Sequence, residues 1–318
     1  MPAEIAQPAA LPAREENIGA GVAWMLVTGL LFVAMTGVVR YLGSSLPAAE
    51  SAFIRYLAGL ILVSPALIGV FRRRIEGRVM KLYVSRGLIH GLGVILWFYA
   101  MARIPVAEVT ALSYTSPIFV TIGAALFLGE ALRGRRIAAV VFGLIGVVII
   151  LRPGFNDIGW GQIAQISAAP LFAASFIFAK LLTDHCKPAE IVAMLSLGCT
   201  LTLAPFALAD WVTPSLHDVA WLTLVAVLAT AGHYTLTKAY QCAPITVTQP
   251  VTFLQIVWAT ILGAVAFGEA VDAWIVVGAA VIVISAWYIA RREMIVKRRA
   301  TIPAGGAASA ETGLAPAR

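Results

Sequence analysis

Long apolar stretches of about 20 residues, separated by short polar or glycine- and proline-containing links, run through the chain. Ten of them lie near residues 19–40, 48–70, 82–102, 105–128, 136–151, 160–182, 189–210, 219–240, 245–267 and 272–290, the fifth being the shortest. A helix of that length matches a bilayer hydrocarbon core of roughly 30 Å. Lipid offers backbone N–H and C=O groups no partner, so each segment must satisfy its own, which an α-helix does. The period-two alternation of a membrane barrel is absent. The pattern therefore predicts an all-α integral membrane protein with ten transmembrane helices.

The chain also repeats at an offset of 139 residues. Ala100, Pro105, Thr121, Ile122, Ala125, Gly129, Glu130 and Ala131 recur as Ala239, Pro244, Thr260, Ile261, Ala264, Gly268, Glu269 and Ala270. Both copies close on Gly-Glu-Ala. Five helices per copy is an odd number, so successive copies must insert with opposite orientation. Arg133, Arg135 and Arg136 follow the first Gly-Glu-Ala, whereas Val271-Asp272-Ala273-Trp274 follows the second. The predicted organisation is two inverted five-helix repeats, 19–151 and 158–290, between an N-terminal tail (1–18) and a basic, disordered tail (291–318).

Composition removes the soluble alternative: of 318 residues, 60% are hydrophobic and 12% charged, with a mean hydropathy of +0.90. The net charge of +7 raises the question of nucleic acid, but the placement of the cations answers it. With both termini cytoplasmic, the inside set contains Arg14, the Arg72–Arg86 cluster, Arg133, Arg135, Arg136, Lys180, Lys187, Lys238 and the tail, and only Arg40, Arg103 and Arg152 lie outside. That is the positive-inside bias, so no nucleic-acid partner is expected. Residues 1–18 lack a secretory signal pattern. Cys186, Cys199 and Cys242 have neither metal-ligand spacing nor a disulfide pattern and read as unpaired structural thiols.

Ten segments, a five-plus-five duplication and the closing Gly-Glu of each copy resemble the EamA-type drug/metabolite transporters over about residues 20–290. Further matching pieces are Pro47-Ala48-Ala49-Glu50 with Phe53-Ile54-Arg55-Tyr56, Arg86-Gly87 leading to Trp97-Phe98-Tyr99-Ala100, Ser116-Pro117-Ile118-Phe119 and Leu151-Arg152-Pro153-Gly154. The second copy keeps Pro188-Ala189-Glu190 but has Leu195 where a counterpart of Arg55 would stand. Within the superfamily the chain is similar to bacterial branches that include S-adenosylmethionine and riboflavin uptake proteins. The resemblance implies a multi-pass protein of the bacterial inner membrane. It would move an amino-acid derivative, or an S-adenosylmethionine-like or riboflavin-like compound, by alternating access.

Candidate site residues follow from helical spacing. Thr110, Ser113, Tyr114, Pro117 and Thr121 share one face of the fourth segment, and the offset maps them onto Gln249, Thr252, Phe253, Ile256 and Thr260 of the ninth. Paired polar stripes suit a cavity at a repeat interface; they equally suit helix packing through small and hydroxyl residues. Arg55, roughly 10 Å into the second segment by helical rise, would bind an anionic group of the substrate or pair with Glu50 or Glu108. His90, Glu108 and His233 are proton-coupling candidates, with neutral hydrogen-bonding histidines the alternative. Trp97, on the His90 face, would stack on a flat ligand or simply pack. Glu130 and Glu269 read as structural, each at the start of the last helix of its copy.

No phosphate-binding loop, HExxH motif or clustered acid/base set appears, so neither a cofactor, a metal nor catalysis is expected. The expected partners are a small-molecule substrate and the lipid bilayer, with a homodimer left open. A non-transporting accessory subunit is the main alternative, and a membrane enzyme the lesser one.

Overall fold

The computed structural model describes residues 17–72, 75–113, 115–116, 119, 134–152, 158–243, 248, 251–252, 254–284 and 287. Helix α1 (Ile18–Leu42) starts where the Asn17 side chain accepts the Ala20 N–H at 2.9 Å, and stops at Gly43, whose φ of +64° suits a residue without Cβ. Helices α2 (Ala48–Leu62) and α3 (Ser64–Phe71) follow, then α4 (Gly77–Met101), α5 (Val106–Ser113) and α6 (Gly134–Leu151). The second half contains α7 (Trp160–Thr183), α8 (Pro188–Ala209), α9 (Leu216–Cys242), α10 (Leu254–Phe267) and α11 (Ala273–Ile284). Among the described residues there is no strand.

Helices α1, α4, α7, α8 and α9 are each long and apolar enough to cross a membrane, and α2 with α3 supplies a sixth span if the pair is taken together. The uninterrupted second helix expected over 48–70 is not what forms: α2 and α3 meet at a bend of 71°. Pro65 is the reason. It has no N–H for the Ile61 carbonyl, so it is tolerated in the first turn of α3 but not inside one continuous helix. The Ser64 hydroxyl donates to that carbonyl instead, at 2.9 Å. Helix α4 also begins at Gly77, ahead of the expected 82. Arg86, which charge patterning placed in the inside set, lies within this helix and is buried in the bundle, 1% exposed.

The two halves interlock. Helix α1 packs most extensively on α9, α4 on α7 and α8, α2 on α8 and α9, and α5 on α10. Helices α1 and α9 run antiparallel, tied at one end by Asn17 N–H to the Cys242 carbonyl (2.9 Å), midway by the Thr28 and Thr235 hydroxyls (2.8 Å), and at the other by Ser45 to Asp218. Helices α4 and α7 are likewise antiparallel, with Ile104 against Gly161, Leu171 against Gly93, and His90 bonded to Ser175.

Helix α4 crosses α8 at Gly87 and Gly198: a Cβ on Gly87 would stand 2.7 Å from the Gly198 Cα. Small residues allow such an approach, which gains dispersion contacts where lipid provides no hydrophobic drive between helices. Lys180 is tied inward as well: rather than extending to the bundle end, its Nζ donates to the Tyr240 carbonyl at 2.8 Å and joins α7 to α9.

Candidate substrate cavity

A cavity of about 190 Å³ lies inside the bundle, walled by both halves. Helix α1 lines it with Met25, Thr28, Phe32, Met35 and Thr36, α2 with Arg55 and Tyr56, and α4 with His90, Val94, Trp97, Phe98 and Met101. Val109, Thr110 and Ser113 of α5 join Ser116. Phe172 and Phe176 of α7, His233, Leu236 and Tyr240 of α9, and Thr252 and Gln255 close it from the second half.

The structure thus brings together Arg55, His90, Trp97, Thr110, Ser113, His233 and Thr252 around one space. It does not bring Glu108 there. Glu108 lines a separate crevice with Arg152, Gln162, Glu269 and Asp272, and its Oε1 accepts from Gln162 at 3.2 Å. Tyr114, Gln249 and Phe253 lie outside the described residues, as do Pro117 and Glu130.

Arg55 is 5% exposed, and its guanidinium lies 3.8 Å above the centre of the Tyr56 ring. Stacking uses the face of the guanidinium and leaves its N–H edge available. The acids anticipated as its partners are engaged elsewhere: Glu50 accepts the Val212 N–H at 3.0 Å, and Glu108 binds Gln162. Among the described residues no carboxylate pairs with Arg55. A buried cation without a counter-charge is costly, and that cost is tolerated where a ligand supplies the charge or polar edge.

Aromatic rings form a continuous wall beside it. The Phe172 ring centre lies 5.0 Å from that of His90, His90 lies 5.2 Å from His233, and His233 lies 5.2 Å from Phe32. The two histidines come from different halves and meet edge to face at 73°. His90 Nδ1 shares a 2.8 Å hydrogen bond with the Ser175 hydroxyl, in which either can donate, whereas His233 Nδ1 is buried without a hydrogen-bond partner. On the facing side Ser113 donates to the Val109 carbonyl and accepts from Gln165 Nε2, both at 2.8 Å.

Sequence reasoning missed several lining residues. Gln255 lies three positions beyond Thr252 and is the offset counterpart of Ser116, so its signal was available. Thr28, Phe32, Met35 and Thr36 keep helical spacing in the first segment, but nothing in that spacing distinguishes a cavity face from a packing face. Phe172 and Phe176 carry the same ambiguity.

Long apolar helices interlocked around an aromatic cavity, with a buried arginine at its edge that has no carboxylate partner among the described residues, define a polytopic helical membrane protein. The chain belongs to the EamA-like transporter family, whose model matches residues 19–152 and again 159–291. It is 31% identical to a riboflavin transporter of Rhizobium johnstonii over 282 residues, covering 88% of this chain and 93% of the relative. Identity to a riboflavin transporter of Vibrio cholerae is 30% over 286 residues, 88% of this chain and 95% of the relative. An S-adenosylmethionine uptake transporter of Rickettsia prowazekii is 29% identical over 272 residues, 85% and 92% of the two chains. One solved crystal structure of a protein shares the fold at a TM-score of 0.56 and 20% identity, covering 86% of this chain and 99% of that one. The protein is a multi-pass, small-metabolite transporter of the inner membrane, not an enzyme.

Proposed function

We propose that this transporter binds a flat, polar heteroaromatic metabolite of the riboflavin type in the central cavity. It then carries the compound across by alternating access between two inverted five-helix halves that together make ten spans, with both termini cytoplasmic. The observation that carries the reading is Arg55: a buried, acid-free cation beside a wall of aromatic rings. A planar ring gains stacking contacts along Phe172, His90 and Phe32, and its carbonyl-bearing edge accepts from the guanidinium.

Reciprocal packing supports the inverted arrangement. Under the 139-residue offset the α1–α9 contact exchanges with the α4–α7 contact, both antiparallel, while α2–α8 maps onto itself. Such exchange is what a pseudo-two-fold axis in the membrane plane produces. The cavity lies where the two halves meet, so rocking one half against the other would expose it to each side in turn.

The runner-up is an S-adenosylmethionine-like substrate, which also has a flat ring and a carboxylate for Arg55. Its sulfonium and ammonium groups argue against it, because no carboxylate lines the cavity among the described residues and Arg55 repels both cations. Uptake into proteoliposomes of labelled riboflavin and S-adenosylmethionine, with and without a pH gradient, tests this. Saturable riboflavin uptake is expected; saturable S-adenosylmethionine uptake without it would replace the flavin assignment. No uptake of either compound by folded protein would favour a different metabolite or an accessory role.

A further inference from the structure

Beside Arg55 and His233, a side chamber of about 10 Å³ opens between α2, α8 and α9. That is space for one water-sized particle. It is lined by Arg55, Tyr56, Gly59, Val192, Leu195, Ser196, Thr230 and His233, so it shares Arg55, Tyr56 and His233 with the main cavity. We propose that this chamber is a binding site for a single-centre monovalent anionic acceptor, held by Arg55 together with the Ser196 and Thr230 hydroxyls and His233.

The chamber concentrates unused donors. The Arg55 guanidinium lies over the Tyr56 ring with no carboxylate partner among the described residues, and His233 Nδ1 is buried, 6% exposed as a residue, with no hydrogen-bond partner. Ser196 is 4% exposed, and neither its hydroxyl nor that of Thr230 makes a side-chain hydrogen bond among the described residues. Buried polar groups left unpaired are rare in native proteins, and two of them, Tyr56 Oη and His233 Nδ1, border this one water-sized space beside Arg55, which indicates an occupant. The sign of the occupant follows from the charges. One oxygen of Glu50, the nearest acid in sequence on α2, accepts the Val212 N–H, and no acidic side chain, Glu50 included, lines the chamber among the described residues. A metal cation is therefore excluded by Arg55, whereas an anion relieves the buried charge.

Leu195 adds a geometric argument. It stands five residues after Glu190, as Arg55 stands five after Glu50, and it lines the same chamber. The chamber thus lies where the two halves meet, with one cation there rather than two. One guanidinium matches one monovalent anion without the repulsion of a facing pair.

The acceptor has two sources of the same chemistry: a free halide, or a single anionic oxygen at the edge of the transported molecule. The inference rests on the unpaired donors around Arg55 and holds whichever metabolite is carried. In the purified, full-length protein, crystals soaked in bromide should show an anomalous peak within hydrogen-bonding reach of Arg55 and Thr230. Replacing gluconate with chloride at constant ionic strength should raise Tm and change the KM for uptake of the transported compound. A lowered KM assigns the chamber to a halide bound alongside the substrate; a raised KM assigns it to the substrate's own anionic oxygen. The Ser196→Ala/Thr230→Val variant should weaken the halide effect about tenfold, as loss of hydrogen bonds to a charged acceptor does. Absence of both a bromide peak and any chloride effect on Tm in the native protein overturns the proposal, and that arm needs neither a variant nor a known substrate. A halide effect undiminished in a folded double variant would overturn this location for it.

Discussion

Arg40 and Glu269 meet at 3.1 Å at one end of the bundle, joining α1 to the turn after α10. The other carboxylate oxygen of Glu269 accepts the Val106 N–H at 3.0 Å, at the first turn of α5. The recurring glutamate therefore caps a helix of the opposite half rather than the helix that follows it in sequence, which begins instead with Asp272 accepting the Trp274 N–H at 2.8 Å. Arg40 also reaches the Met101 carbonyl at 3.4 Å, so three segments close over the Met101 end of the cavity.

Glu269→Gln should loosen that closure. An ion pair and a charged helix cap at partly buried positions contribute about 1–2 kcal/mol together. The expected result is a shift towards the state open at this end, seen as faster labelling of a cysteine placed at Met101 and slower uptake, with unchanged insertion. Unchanged labelling would show that the contact does not hold the cavity shut.

Arg55→Ala should abolish transport while the protein still inserts, and Arg55→Lys should retain part of it with a raised KM. Lysine keeps the charge but loses the stacked, forked geometry over Tyr56. Uptake and binding measured in proteoliposomes check this, and normal uptake by the alanine variant removes Arg55 from the site.

Bulky substitutions separate the cavity from the lipid face. Ser113→Phe and Thr252→Phe should reduce uptake at least about tenfold by filling the cavity, a loss of roughly 1.4 kcal/mol or more in transition-state stabilisation. Ile261 is 49% exposed on α10, so Ile261→Phe should leave transport near normal. Equal loss at all three positions would remove the directional argument.

Gly87→Val forces a branched side chain into the Gly198 backbone. Overpacking of this kind costs roughly 1–3 kcal/mol, more where backbone must move. A lowered Tm and reduced yield are expected, whereas Gly69→Ala, with nothing within 4 Å of the added Cβ, should be tolerated. Equal Tm for the two variants would remove the close crossing from the account.

Much of this architecture is legible along the chain because the bilayer imposes a simple rule: apolar runs of spanning length must be helices. Arg55 stands out for the same reason, since a charge inside such a run is expensive. Helical spacing put Thr110 and Ser113 on one face, and the internal offset pointed to Thr252 as the counterpart of Ser113. Charge patterning did not show that Arg86 is buried, because a position within an apolar segment does not say which neighbour its helix face meets, and hydropathy did not reveal the bend after α2, because Pro65 and Ser64 interrupt the helix without interrupting the apolar run.

By itself, the sequence determined the class: helical, membrane-embedded, duplicated and belonging to a transporter family. Those properties come from composition, period and repetition, all of which are local or one-dimensional. Only tertiary structure decided that His90 touches His233, that Glu269 caps Val106, that Glu108 lies apart from Arg55, and that Arg55 has no carboxylate partner among the described residues. Each of these depends on which helix faces meet. Apolar helices in lipid choose their faces by close packing and a few polar contacts, a choice distributed over residues more than a hundred positions apart.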